Sequence, residues 1–421
     1  MIEKSTLKKV LNSLSFGRNV YQNAITIDCI NRELVFTVLT SDDYSAQYQI
    51  KMTVSSNDNW SAVVDLQELK ETAKTIIEDE ISLEYSPEGN SLRINGSLVT
   101  SIMSPSTISL LEIGQGRINR QVSIQSNALC SIVDKAKISL NKEYLDRHSP
   151  FRYFWLDDSK LITSDSHRLF IAQLNDWPLS DGVIAPGLQY LSNVKGFMDT
   201  HCSVYDFEID DKRYLRIESG SVQITVQFVN TTIFPYQEVI PSKGMPITLS
   251  KKELESAVKR TKIKYDKDSP AWITFDGSKC IVSGNMDQTK ITLSEIEARA
   301  PFKIAIKGEY LLSAIKICSR DTITLWIRDN STPILVREEG FIWCCMPLAY
   351  DESEYPDEDN FQDISLDLNF SYWDKITEKP KIKKTRINWK AVAQEWERRA
   401  LIAEARVKEV ENILHSYGIE T

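Results

Sequence analysis

One pattern, met three times along the chain, constrains the fold more than any single motif. An amphipathic helix bearing Lys or Arg is followed by short alternating strands, then by a second such helix and more strands. In the first segment Leu7, Val10, Leu11 and Leu14 share a helical face with Lys8 and Lys9 off it. The second helix places Leu66, Leu69, Ala73 and Ile76 on one side and Lys70 and Lys74 near the other. The next segment repeats this with Leu129, Val133, Ala136 and Leu140, accompanied by Lys135 and Lys137. Its second helix is expected over APGLQYLSNVKGFM, with Leu188, Leu191, Val194 and Lys195. The third begins at Ser250, where Ser250 and Glu253 form a capping-box pattern. It shows Leu254, Ala257 and Val258 among Lys251, Lys252, Lys259, Arg260, Lys262 and Lys264. Its sister carries Leu311, Leu312 and Ile315 with Lys316 and Arg320.

Between the helices lie runs rich in Val, Ile, Thr and aromatic residues: AITIDCI, ELVFTVLT, YQIKMTV, LRIESGSVQITVQFV, AWITFDG, TITLWIRD and PILVREEGFIWCCM. Asp-Asp, Asp-Gly and Asn turns break them, which marks them as strands. The expected class is therefore α+β, with three repeated helix-on-sheet units at 1–118, 119–243 and 244–350. Such an arc closes into a ring by dimerisation. A ring also removes an objection from charge. The net charge of −9 argues against a protein coated in Lys and Arg for nucleic acid. Only the inner wall of a ring needs to be basic.

Other classes recede. No run of about 18 apolar residues predicts a membrane span, and MIEKSTLKKVLNSLSF lacks the apolar core of a signal peptide. The seven cysteines include no CxxC pair with a His partner. They read as reduced, mostly buried thiols of a cytoplasmic protein, with no metal and no cofactor expected. Ser164, Asp165, Ser166 and His167 invite a hydrolase reading. No Gly-x-Ser-x-Gly elbow, P-loop or GxGxxG accompanies them, so catalysis is not expected.

The middle unit carries a resemblance. FRYFWLDDSKLITSDSHRLFIAQL is similar to the second-domain signature of the bacterial DNA polymerase III beta subunit, the DNA sliding clamp. Ile233–Pro241 (IFPYQEVIP) resembles that family's Phe-Pro-Asp-Tyr-x-x-Val-Leu-Pro, one residue shorter. YLLSAIK, RDNSTPILVREE and CCMPL resemble its C-terminal helix, strand and ending. The matches cover about residues 119–350; in the first unit Gly17-Arg18 and Thr40-Ser41-Asp42 are weaker ones.

The resemblance implies a non-enzymatic processivity factor for DNA replication: a head-to-tail homodimer whose six domains surround duplex DNA without reading its sequence. Its DNA-facing candidates are Arg18, Lys70, Lys74, Arg152, Tyr153, Lys195, Lys259 and Arg260. It also implies a pocket between the second and third domains for short peptides of DNA polymerase and clamp-loader subunits. Position by position, the wall is Trp155, Ser164, Ser166, His167, Arg168, Leu169, Pro235, Val239, Cys344 and Met346. Three departures from the family pattern suggest altered partner preference or a partly filled pocket. Trp155 stands where a Leu is common, Ser166 replaces a Gly and Glu238 replaces a base. The interface halves are expected around Lys262 and Ile263 and around Val99 to Met103. The alternative is a clamp paralogue that does not support replication and acts as a decoy or regulator of clamp partners.

After Tyr350 an acidic run and the basic stretch KPKIKKTR read as a linker over 351–388. A heptad helix over 389–416 comes next, with Trp389, Ala393, Trp396, Ala400, Ala403, Val407, Val410 and Leu414 on its seam. It is a candidate site for a helical partner. Ser365–Phe370 (SLDLNF) resembles the clamp-binding peptides themselves, with Leu366, Leu368 and Phe370 as anchors, and is expected to dock in a clamp pocket in cis or on a neighbouring ring.

Overall fold

The alternating runs fold into strands, and the residues between them decide where each strand turns. In this computed structural model the described residues are 1–16, 24–40, 46–56, 58–86, 91–100, 117–140, 150–174, 181–209, 211–263, 270–284, 290–293, 296–338, 340–351 and 353–366. Arg18, Met103, Leu368, Phe370, the basic run 379–386 and the heptad segment 389–416 lie outside them. The described residues all fall within one compact unit, Met1–Phe370.

The first repeat runs β1 (Ile2–Glu3), α1 (Lys4–Ser13), β2 (Ala24–Ile30), β3 (Glu33–Leu39), β4 (Ala46–Thr53), β5 (Trp60–Asp65), α2 (Leu66–Thr75), β6 (Glu80–Ile81), β7 (Leu83–Ser86), β8 (Ser91–Ile94) and β9 (Ser97–Thr100). The second has β10 (Arg117–Gln125), α3 (Ser126–Ala136), β11 (Phe154–Asp157), β12 (Lys160–Ser164), β13 (Arg168–Gln173) and β14 (Gly182–Ile184). A 3-10 helix (Pro186–Phe197) leads to β15 (His201–Ile209), β16 (Lys212–Ser219) and β17 (Val222–Val229). The third has β18 (Lys243–Ser250), α4 (Lys251–Ile263), β19 (Pro270–Phe275), β20 (Cys280–Ser283), β21 (Lys290–Leu293), β22 (Ile296–Glu297), β23 (Phe302–Lys307) and α5 (Gly308–Ile317). It ends with β24 (Thr322–Ile327), β25 (Ile334–Glu338) and β26 (Phe341–Cys345).

Two-residue hairpins with positive φ recur at matching places. Asn31-Arg32 joins β2 to β3, and Asp158-Ser159 joins β11 to β12. Asn95-Gly96 joins β8 to β9. Positive φ at both central residues gives the turn that matches the strands' twist.

Each helix buries the face expected of it. Leu7, Val10, Leu11 and Leu14, then Leu66, Leu69 and Ala73, then Leu129, Val133 and Ala136 are all buried. Asp65 caps α2 by accepting from Glu68 N at 2.7 Å. One expected helix is different. Pro186–Phe197 is 3-10, not α. Its apolar residues, Leu188, Leu191, Val194 and Phe197, fall at strict steps of three, the period of a 3-10 helix.

Apart from the two-residue β22, which pairs with β18, the strands between each repeat's two helices form one set, ordered β4-β3-β2-β5, β13-β12-β11-β14 and β21-β20-β19-β23. The strand before the first helix joins those after the second to form another, as in β10-β15-β16-β17 and β18-β24-β25-β26. In the first repeat this set is β1 on β6, then β7-β8-β9. The sets then join across repeats, antiparallel: β4 pairs with β17 from Val222↔Ile50 to Val226↔Ala46. Likewise β13 pairs with β26 from Arg168↔Cys345 to Ala172↔Phe341. Among the described residues β9 and β21 each pair on one side alone.

The core divides at the second of these junctions. On one face of the β13–β26 pair Phe170, Ala172, Phe341, Trp343 and Cys345 join the main core. On the other, Leu169, Ile171, Ile342 and Cys344 join a smaller cluster with Trp155, Tyr236, Leu335 and Ile364. A strand buried on both faces needs a continuous apolar run, which is how FIWCC reads. The acidic run 353–363, expected as linker, is laid against the third repeat and belongs to that compact unit.

Candidate functional site

The smaller cluster is where the chain brings the expected pocket residues together. Trp155 on β11 and Leu169 on β13 come from the second repeat, and Cys344 on β26 comes from the third; all three are buried in it. Val239 packs against it half-buried, next to Tyr236 at the turn after Pro235. Pro235, Ser166 and His167 are exposed, and Met346 is half-buried. Aromatic rings fill the floor: Phe234 meets Trp155 edge-on at 4.6 Å and Phe151 at 6.0 Å. Burial, together with the hydrogen bond its hydroxyl donates to Asp157 at 2.7 Å, pushes Tyr236 well above the usual phenol value. The Trp155 indole N–H is buried with no hydrogen-bond partner among the described residues.

The segment Ser164–Leu169 owes its shape to a buried ion pair. Asp165 Oδ1 accepts from the amides of His167 (3.1 Å) and Arg168 (2.6 Å), while Asp165 Oδ2 accepts from Arg168 Nε at 2.8 Å. The Arg168 guanidinium reaches across to α5, donating to Ser313 Oγ at 3.1 Å and covering the Tyr310 ring at 4.6 Å. The His167 ring stacks on the same tyrosine, and His167 O accepts from Met346 N at 3.0 Å. Ser164 Oγ accepts from Ser166 N at 3.1 Å. These contacts orient Ser164, Ser166, His167 and Arg168 as a rim clamped between two repeats. Ser166 holds φ +74°, a left-handed conformation that favours glycine.

The expected DNA-facing residues are not equivalent. Lys74, Lys195, Lys259 and Arg260 are exposed, although Lys259 pairs with Glu255 one turn away. Lys70 is half-buried and donates to Ser15 Oγ at 2.9 Å; burial first, then Lys74, lowers its pKa. Arg152 ends a short 3-10 turn, Pro150–Arg152, and Tyr153 packs against the smaller cluster. Other bases of the repeat serve the fold. Lys135 lies over the Phe341 ring at 4.5 Å, and Lys251 donates to Cys318 O.

No family model and no curated protein matches the sequence. Solved structures do match. A DnaN sliding clamp (DNA polymerase III subunit beta) from Bartonella birtlesii, bound to griselimycin, has a TM-score of 0.70 at 18% identity, covering 83% of this chain and 98% of that one. The beta sliding clamp of C. crescentus has a TM-score of 0.69 at 16% identity, covering 83% and 98%. DNA polymerase III subunit beta from Borrelia burgdorferi, in complex with a natural product, has 0.69 at 15%, covering 83% and 97%.

The chain has the sliding-clamp fold. Within it, sequence reasoning missed several residues that build the site. Tyr310 and Ser313 anchor Arg168 from α5, yet in the sequence they read only as positions on an amphipathic helix. Phe151 and Phe234 flank Trp155 from two other loops. Lys9, in the sequence only a base on a face of α1, donates to Gly196 O at 3.0 Å and covers the Phe197 ring at 4.7 Å. It thereby joins the first repeat of the clamp fold to the second. An open depression beside it is lined by Ser5, Lys8, Asn12, Ser13 and Asn193. Among the described residues no His, Cys, Asp and Glu group is placed to hold a metal, and no helix is long and apolar enough to cross a membrane.

Proposed function

We propose that this chain is a non-catalytic sliding clamp. Two copies close head to tail into a ring of six domains around duplex DNA, and the cluster around Trp155 recruits polymerase and clamp-loader peptides. The domains are 1–118, 119–243 and 244–350. One observation carries the reading. In each junction inside the chain, the third strand between the helices pairs with the last strand of the next repeat: β4 with β17, β13 with β26. The same rule applied once more joins β21 of the third repeat to β9 of a first repeat. Among the described residues both are edges with one neighbour, so a second copy supplies the partner. An unpaired edge is a template for another strand, and a heterologous contact of this kind closes when the rotation completes a ring.

The exposed Lys74, Lys195, Lys259 and Arg260 fit phosphate contacts that carry no sequence information. Retention of such a ring comes from topology and not from affinity. The test is loading by a clamp loader onto nicked circular DNA, followed by a high-salt wash. Protein kept on the circle and released on linearisation is the expected result. Equal loss from circular and linear DNA overturns the reading.

A second reading is favoured by one feature, the filling of the pocket cluster by Trp155 and Ile364. A clamp paralogue that regulates clamp partners without serving replication fits it. Failure to load, with dimer formation intact, selects that reading.

A further inference from the structure

Past Met346 the chain stays on the body of the protein and turns back toward the pocket. Leu348 pairs with Ala305 and Glu354 with Lys303. The amide oxygen of Gln362 accepts from the Arg299 guanidinium at 2.8–3.0 Å. Gln362 and Asp363 then add to the edge of β18 opposite Gly244 and Lys243, and Ile364 N donates to Ser242 O at 2.8 Å. Ile364 is 6% exposed, within the cluster that holds Trp155, Leu169, Tyr236, Leu335 and Cys344.

The register gives this strand a direction. It is antiparallel, with Gln362 opposite Gly244 and Asp363 opposite Lys243, so a chain continued in this direction would run back along Pro241, Ile240 and Val239 toward Pro235. That is the outer wall of the pocket. The next hydrogen-bonding position of that ladder falls at Ile240, and apolar side chains on one face would add to the hold on a chain continued beyond Ile364. The sequence supplies them at alternate positions: Ile364, Leu366, Leu368 and Phe370. Alternate residues of an extended chain share a face, and six residues reach about 20 Å. Leu366 is 38% exposed, poised just past the buried Ile364.

We propose that Ser365–Phe370 is a tethered ligand for the partner-peptide pocket of the same chain, anchored by Ile364 and inserting Leu366, Leu368 and Phe370. It rests on the pocket assignment made above. The occupant competes with every incoming peptide. A short tether gives an effective concentration on the order of 1 mM, so for a segment of about 0.1 mM intrinsic affinity the pocket is closed about ten times out of eleven. Partners with several contacts displace it, while weak ones do not enter.

The test uses the full chain and a fluorescein-labelled peptide of residues 363–372, followed by anisotropy. Leu366→Asp with Phe370→Asp, both changes lying beyond the buried anchor, is expected to bind the peptide about tenfold more tightly than the unaltered chain. Adding Val239→Asp is expected to abolish the gain. Equal affinity with and without the tail changes overturns the proposal, and so does absence of binding to both. Solution mass measured on the same samples separates this from the ring. A dimer with equal peptide affinity removes the tethered ligand and leaves the clamp reading standing. A gain in peptide affinity on a single-chain species supports the ligand and removes the ring.

Discussion

Arg168 and Asp165 hold the rim of the proposed pocket, and their chemistry is unforgiving. Both side chains are at most 10% exposed, and the guanidinium spends its donors on Asp165 and Ser313. Removing one charge strands the other in a poorly solvated site. Asp165→Asn is therefore expected to lower unfolding stability by about 3–5 kcal/mol, measured by urea denaturation. A loss under about 1 kcal/mol would mean the pair is solvated. Glu338 behaves differently. Burial pushes its carboxyl up, but the amide and hydroxyl of Ser319 and the amide of Arg320 outweigh it and hold the group below 4.5. A depressed value means stability that is present above the unfolded pKa and lost as pH falls through the folded one. The stability gap between the unaltered chain and Glu338→Gln is expected to shrink on acidification below about pH 4.5. A pH-independent gap contradicts that. The Ser164–Leu169 motif is legible as a string. Its partners Tyr310 and Ser313 are not, because nothing local ties two α5 positions to a loop more than a hundred residues earlier.

At the scale of elements, the junction between the first two repeats depends on a close approach. A Cβ on Gly187 would lie 2.3 Å from the Ala46 Cβ, and Gly187 O accepts from the buried Tyr48 hydroxyl at 2.6 Å. Gly187→Ala is expected to cost about 1–3 kcal/mol by forcing β4 and the 3-10 segment apart, read as a lower midpoint of thermal unfolding. An unchanged midpoint would show that the junction yields freely. Strands such as Ala24–Ile30 are legible because alternation survives where one face meets the core. The 3-10 segment passes for α in the sequence because steps of three also trace one face of an α-helix, and only their strictness tells the two periods apart. The tail is half legible: its alternating apolar residues stand out from Leu366 onward. The residue that anchors it, Ile364, lies one step earlier. Sequence alone gives no register for a strand that pairs with an edge more than a hundred residues away.

At the scale of the whole molecule, the repeat is legible and its closure only implied. The expected strand at Val99 coincides with the edge β9, whereas the other half was expected at Lys262 and Ile263 on α4. The edge that matches the internal rule is β21, a four-residue strand too short to stand out in a sequence. Shortening the chain after Tyr350 would strip Ile364 from the smaller cluster, so a cut after Phe370 is the cleaner way to ask what the extension does. Pairing of β9 with β21 involves neither element's tail, and both the shortened and the full chain are expected to assemble alike. The most direct measurement is the mass of the full chain in solution by light scattering. Ring closure predicts about twice the 48.2 kDa of one chain. A stable single-chain mass, or loss of the dimer on cutting after Phe370, would contradict closure through the two sheet edges.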